Sequence, residues 1–398
     1  MQHSVAFGII CLQILFCGAC LAGYLEQKYP ASVVEDTTLD MVGLTRKYHY
    51  PLEAHYVTTQ DKYILCVFRL PRPKARPVFL MHGLLDSSIT WLLSGPWSAL
   101  GYYLYDLGYD VWMGNARGNF YSRNHTYYNA NVDRSFWRFS WHEIGMYDLP
   151  AMIDYILHET GFVKLAYFGH SQGTTSFFVM TSMRPEYNEK ITLMSALAPV
   201  AYMKNLEAPL MFLLRNFIAI SGNAIYEFLP RTDLWRACFR SKMTEDTCFD
   251  YVYQIVGRDP KMWNATMAPV YVAHLPSGCN LKQVKHYIQL VDSGRFCQYD
   301  YGSAENQKRY NSTKPKEYPL KKITVPVALY YTYNDNLSSY KDVKQLAKEL
   351  PNVVENCLYP NKRWNHMAII WSAEARELAH NHMVEVMRKY EPPINQTV

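Results

Sequence analysis

Apolar residues recur in short blocks through most of this 398-residue chain, and the period of the blocks changes in a regular way. From Ala54 to Leu70 two apolar-rich runs flank Gln60-Asp61-Lys62, which predicts a pair of strands joined by a turn. Further strands are predicted at Val78–His82, Tyr109–Gly114, Lys164–Phe168, Ile191–Pro199, Val325–Tyr331 and Val353–Leu358, with helix-compatible stretches between several of them. One such stretch opens on the capping-box pattern Ser140-x-x-Glu143 and runs to about His158, with a kink or break expected at Pro150. Strands alternating with helices predict a mostly parallel sheet covered by helices on both faces.

The alternation lapses over about residues 204–323, where Pro, Asn, Trp and Met are more frequent and pieces such as Ala208–Ile220 are apolar on more than one face. It resumes at Val325. A strand pattern interrupted and then continued predicts an inserted, mainly helical cap rather than a separate domain. Ligands of open parallel sheets bind beyond the carboxyl ends of the strands, so an insertion there would cover the site. The first 22 residues form a different class: Val5–Leu21 is almost continuously apolar and Cys20-Leu21-Ala22 offers small residues for cleavage after Ala22. This predicts a signal peptide at 1–22 and a single catalytic domain over 23–398. An uncleaved anchor is disfavoured by the shortness of the run and the lack of a basic flank.

Composition narrows the classes. With 49% apolar and 19% charged residues the chain can bury a sizeable core, and the 33 tyrosines suit amphipathic surfaces as well as ordinary cores. The formal charge of +5 is spread along the chain with no basic block, which argues against a nucleic-acid partner. Loss of the leader leaves Cys66, Cys238, Cys248, Cys279, Cys297 and Cys357, too few for a disulfide scaffold in so long a chain. Cys238 and Cys248 are close enough to close a short loop, Cys66 and Cys357 sit in strand-like runs as expected free thiols, and Cys279 and Cys297 could pair with each other. Sequons at Asn124, Asn264, Asn311 and Asn395 fit a glycosylated secreted or lysosomal protein. A fifth, at Asn336, is expected to stay unused, because a glycan there would obstruct the chemistry proposed next.

Gly169-His170-Ser171-Gln172-Gly173 follows a predicted strand and precedes the helix-compatible run Thr174–Met183. Small residues on both flanks permit a tight strand-to-helix turn that lifts the Ser171 hydroxyl out of the sheet edge. A serine hydroxyl is a weak nucleophile and needs a base, which needs an orienting carboxylate. Asp335, directly beyond the strand ending at Tyr331, is the candidate acid, and His366, beyond the strand containing Cys357, the candidate base. Asp342 is the rival acid but opens a helical stretch to Leu350. His170 is too close to the nucleophile to serve it and is expected to pack at the elbow. The oxyanion would be met by the N–H groups of Gln172 and of Leu84, the latter in the loop His82-Gly83-Leu84-Leu85-Asp86.

His82–Ser88, Gly114–Asn119 with Tyr121-Ser122-Arg123, Phe139–Gly145 with Tyr147–Pro150, and Gly169–Gly173 together resemble the acid lipases of stomach and lysosome, a family of the α/β-hydrolase fold. The resemblance runs from about Tyr48 to the C-terminal helix. It implies a triad of Ser171, Asp335 and His366, oxyanion donors at Leu84 and Gln172, and a cap disulfide between Cys238 and Cys248. It also implies hydrolysis of triacylglycerols or sterol esters by a monomer at a lipid–water interface, with a mobile lid, no cofactor and no metal. The chain departs from the family at Ala368, where an acidic residue usually stands two positions after the base; this leaves the local support of His366 and the pH optimum open. A carboxylesterase acting on soluble short-chain esters is the competing enzyme reading. A non-catalytic lipid-binding relative would lack the nucleophile or the base, and this chain has both.

Overall fold

The alternation at 54–70 closes into an antiparallel pair, β1 (Glu53–Thr58) and β2 (Tyr63–Leu70), in a computed structural model that describes residues 23–207, 215–216, 226–259 and 264–393. The predicted leader lies outside the described residues. Next come β3 (Pro77–Met81), β4 (Asp110–Gly114), a short β5 (Asn124–His125), β6 (Leu165–His170) and β7 (Ile191–Leu197). A small antiparallel ribbon of β8 (Glu227–Phe228) and β9 (Cys279–Asn280) stands apart, and β10 (Val327–Tyr331) and β11 (Val353–Leu358) complete the main sheet. Its order is β1-β2-β4-β3-β6-β7-β10-β11, with β5 beside β2. Everything from β4 to β11 is parallel, and β1, β2 and β5 form the antiparallel edge.

The apolar strands supply both cores at once. On β3, Phe79 and Met81 join one core and Val78 and Leu80 the other; on β6, Tyr167 divides in the same way from Ala166 and Phe168. This is the pattern of a sheet buried on two sides. The helices Leu149–Thr160, Gln172–Met183 and Tyr340–Glu349 cover one face, while Leu100–Asp106 and Asn381–Arg388 cover the other. Each fully buried Leu or Phe there contributes roughly 1.5–3 kcal/mol of transfer free energy. The capping box at Ser140 forms as predicted, but the helical path changes before Pro150 rather than at it: a π-helical turn spans Ile144–Asp148, and Pro150 then falls in the first turn of the next helix, where its missing N–H costs nothing.

β7 and β10 are neighbours in the sheet, yet residues 198–326 separate them. That stretch holds the helices Lys242–Val256, Ala268–His274, Leu281–Ser293 and Ser303–Tyr310. Most of the predicted helical piece 208–220 lies outside the described residues. Cys238 and Cys248 are disulfide-bonded with Cα atoms 5.7 Å apart, tying the turn Asp233–Phe239 to the helix Lys242–Val256. Cys279 and Cys297 are both buried free thiols, so the pairing left open by the sequence does not form; Cys66 is also free and buried, and Cys357 is free and half-buried. The N-terminal segment, polar in sequence, folds as three short helices. Its Tyr24, Lys28 and Tyr29 converge on the buried Glu245 near the start of the helix Lys242–Val256, at 2.6–2.7 Å.

Candidate active site

Ser171 sits between β6 and the helix Gln172–Met183 with φ 51° and ψ −116°, a left-handed conformation that costs a non-glycine residue free energy. The neighbouring glycines show what holds it there. A methyl group added at Gly173 would stand 2.3 Å from the Met81 carbonyl oxygen, and one at Gly169 would stand 2.9 Å from the Gly173 carbonyl carbon. The strand, the turn and the end of β3 therefore approach more closely than any side chain allows. The backbone N–H of Ser171 donates to Leu197 O at 3.0 Å, joining the turn to the end of β7.

The loop after β3 comes as near. A methyl at Gly83 would lie 3.1 Å from Ser171 Cβ and 3.6 Å from its Oγ. His82 fixes the peptide that follows. Its Nδ1 lies 2.7 Å from Gly83 O, which can only accept, while its Nε2 accepts from the backbone N–H of Ala116 at 3.1 Å. His82 is therefore the neutral Nδ1–H tautomer, and burial pushes its pKa down to about 4. In a trans peptide the carbonyl and the next N–H point oppositely, so holding Gly83 O in one direction presents Leu84 N–H in the other. Among the described residues neither Leu84 N–H nor Gln172 N–H donates to a protein group, and Gln172 occupies the first helical position, where the N–H has no partner within the helix. Behind His82 lies a buried amide network: Asn119 Nδ2 reaches His82 Nε2 at 3.1 Å and donates to Asn115 Oδ1 at 2.9 Å, and Asn115 donates to Cys66 O and Ser88 Oγ. The sequence marked Gly114–Asn119 only through family resemblance; its work here is to seat the histidine.

Asp335 and His366 meet. His366 Nδ1 lies 2.8 Å from Asp335 Oδ2, and Asp335 Oδ1 accepts from the backbone N–H groups of Leu337 and Ser338 at 2.8 and 2.7 Å. Both residues are buried, His366 at 3% and Asp335 at 5% exposure, and Ser171 is 8% exposed. The strands of Ser171 and Asp335, β6 and β10, are separated in the sheet by β7 alone, so both residues stand at one rim. His170 packs at the elbow as predicted and also bridges to the base: its Nε2–H donates to His366 O at 3.0 Å, with the two rings 4.8 Å apart. Burial, reinforced by the nearby His366, pushes its pKa down to about 3, so His170 stays uncharged beside the base. Asp342, in the first turn of the helix Tyr340–Glu349, turns away; its carboxylate accepts from the N–H and the side-chain amide of Asn205. Ala368 is buried, and the turn around His366 is closed by Asn365, whose Oδ1 accepts from the N–H groups of Met367 and Ala368 at 3.1 and 3.2 Å.

Of the sequons, Asn124 and Asn311 are exposed, Asn264 is half-buried, and Asn395 lies outside the described residues. Among the described residues no three His, Cys, Asp or Glu side chains are grouped to hold a metal ion, and no helix is long and apolar enough to cross a membrane.

The α/β hydrolase fold profile matches residues 76–373, and a partial α/β-hydrolase lipase region matches 41–95. Lipase 1 of Drosophila melanogaster is 45% identical over 360 residues, covering 90% of this chain and 82% of that protein. Gastric triacylglycerol lipase of Bos taurus is 38% identical over 388 residues, covering 92% and 94%. Among solved structures, a carboxylesterase of Bacillus subtilis shares the fold, with a TM-score of 0.51, 11% identity and coverage of 89% of this chain and 96% of that one. The chain belongs to the α/β-hydrolase family and, within it, to the acid lipases, and it is an ester hydrolase.

Proposed function

We propose that this enzyme cleaves the carboxylic ester bonds of neutral lipids, triacylglycerols or sterol esters, through an acyl-enzyme on Ser171. The observation that carries the reading is the buried 2.8 Å contact of His366 with Asp335 at the same sheet rim as the strained Ser171. His366 takes the Ser171 proton as Oγ attacks the ester carbonyl, and Asp335 holds the imidazole in the required tautomer and stabilises the imidazolium. The charge that develops on the carbonyl oxygen is met by the N–H groups of Leu84 and Gln172. Collapse expels the alcohol, protonated by His366, and water then releases the fatty acid by the same route in reverse.

The segment of about 204–323 is the cap over this rim, and the enzyme works as a monomer touching a lipid surface peripherally. The apolar leader and the sequons support passage through the secretory route, with Asn124, Asn264, Asn311 and Asn395 as glycan sites and extracellular fluid or the lysosome as destination. The 38% identity to gastric triacylglycerol lipase supports the substrate class.

The test is a substrate panel at pH 5 and pH 8 with three variants. Emulsified long-chain triacylglycerol and sterol ester should be hydrolysed by the wild type. Ser171→Ala should abolish turnover, Asp335→Asn should lower kcat about 10⁴-fold, and Asp342→Asn should leave it near wild type. Activity confined to dissolved short-chain esters would replace the lipase reading with a carboxylesterase, and a reversal of the two aspartate results would exchange their roles.

A further inference from the structure

The acid and the base lie on two loops, and a third element touches both. The helix Lys242–Val256 ends at Gly257, which has φ 104° and ψ 139°. The backbone N–H of His366 itself donates to Val256 O at 3.0 Å. The adjacent Asn365 donates from Nδ2 to Gly257 O at 2.9 Å. On the other loop, Asn334 Nδ2 donates both to Arg258 O at 2.9 Å and to Arg363 O at 2.8 Å, so one amide joins the acid loop to the helix end and to the base loop. Asn336 Nδ2 adds a bond to Gln254 O at 3.3 Å. The fit is close. A methyl group at Gly257 would stand 1.8 Å from Asn334 O and 3.1 Å from Asn365 Cβ.

We propose that the turn Gln254–Arg258, with Gly257 at its centre, is a positioning element that sets the distance between Asp335 and His366. This rests on the reading of those two residues as acid and base. A carboxylate and an imidazole on separate loops need a common reference, and the carbonyls of Gln254, Val256, Gly257 and Arg258 supply it to residues 334, 336, 365 and 366. Gly257 is required twice over, because its φ lies where side chains are strained and because its hydrogen faces a backbone oxygen. The opposite end of the same helix is held by Glu245 against Tyr24, Lys28 and Tyr29. The helix is thus fastened at both ends, which gives the reference point a fixed place in the fold.

The experiment uses the purified full-length enzyme and a dissolved short-chain p-nitrophenyl ester, which needs no lipid surface. Gly257→Ala is expected to lower kcat about 100-fold, the scale of an ångström-sized misplacement, with KM unchanged. Asn334→Ala, which removes only the shared amide, is expected to lower kcat about tenfold with the same melting temperature as wild type. In both, the acid limb of the kcat/KM profile should move to lower pH, since a carboxylate held further away stabilises the imidazolium less. Tyr251→Ala, an exposed change on the same helix, should alter none of these. Wild-type kcat and an unmoved limb in Asn334→Ala would overturn the proposal, and that variant decides alone should Gly257→Ala fail to fold. The readings stay separable: if Asp335→Asn is active, the acid–base assignment fails, whereas if it is inactive while Asn334→Ala is normal, only the positioning element fails.

Discussion

The two sides of the site are made differently. On the elbow side, Ser171 and the loop of Leu84 are fixed by close packing: β3, β6 and the helix behind Ser171 approach so closely that Gly169 and Gly173 have no room for a methyl, Gly83 packs tightly on the Ser171 and His170 side chains, and His82 locks the remaining peptide from a buried amide network. On the acid–base side, Asp335 and His366 sit on loops beyond β10 and β11 and are joined to each other through side-chain amides and the end of an inserted helix. The first side is held mainly by the sheet, although the Leu84 loop also meets the insertion, where Leu85 O accepts from Ser277 N–H and Leu84 packs against Cys279, Leu281 and Val284. The second is complete only when the insertion is folded. The elbow is thus set chiefly within the sheet, while the spacing of Asp335 and His366 depends on residues 254–258 of the segment between β7 and β10.

The sharpest way to break this contrast is at Gly173. Gly173→Ala drives a carbon against the Met81 carbonyl, and the expected result is loss of the folded sheet, or at least about 4 kcal/mol of stability, measured by denaturant unfolding. A stable, active Gly173→Ala would mean that the elbow side yields as readily as a loop. His82→Phe keeps an aromatic ring but frees Gly83 O and orphans Ala116 N–H. It should lower kcat about 100-fold with little change in KM, the scale of a lost oxyanion donor, and leave the acid limb of the pH profile where it was. A shifted limb would show that the two sides are not independent.

The smallest effect is a pH dependence. Burial pushes the Asp86 carboxyl, just after the Leu84 loop, up to about 7, with only Oδ1 receiving a backbone N–H from Ser87. An acid raised on folding binds more protons in the native state, so its own contribution to stability is fully kept at low pH and falls as pH rises from the ordinary carboxylate range to about 7. Relative to Asp86→Asn, the wild type should therefore lose up to about 2 kcal/mol between pH 5 and pH 7, read as the difference between the two pH-dependent unfolding profiles. An unchanged slope would place the ionisation elsewhere.

Much of the sheet was legible because its strands are buried on both faces and read as short apolar runs; β11 matches its expected span Val353–Leu358 residue for residue. The elbow was legible because its chemistry is local, with strand, turn and glycines contiguous in sequence. Strand order was not, since β4 returns outside β3 by a crossover that no local pattern encodes. The path before Pro150 was misjudged because a proline in the first helical turn is harmless and the π-helical turn lies earlier. His82 and Asn365 went unassigned for a different reason: each is held to a backbone group far away in the chain, Ala116 N–H and Gly257 O, and neither the residue type nor its spacing announces that partner. Gly257 carried a signal of sorts, a glycine directly after a long helix, but that signal ordinarily reads as a simple helix stop.

The amide nitrogen of Asn336 that donates to Gln254 O is also the atom to which an oligosaccharide would be joined in the sequence Asn336-Leu337-Ser338. A glycan would replace one of its two hydrogens and leave a single N–H for Gln254 O, with the sugar set against the turn that joins the two loops. A sugar on Asn336 would have to be accommodated against that turn, and an unoccupied Asn336 is the expected finding by mass spectrometry.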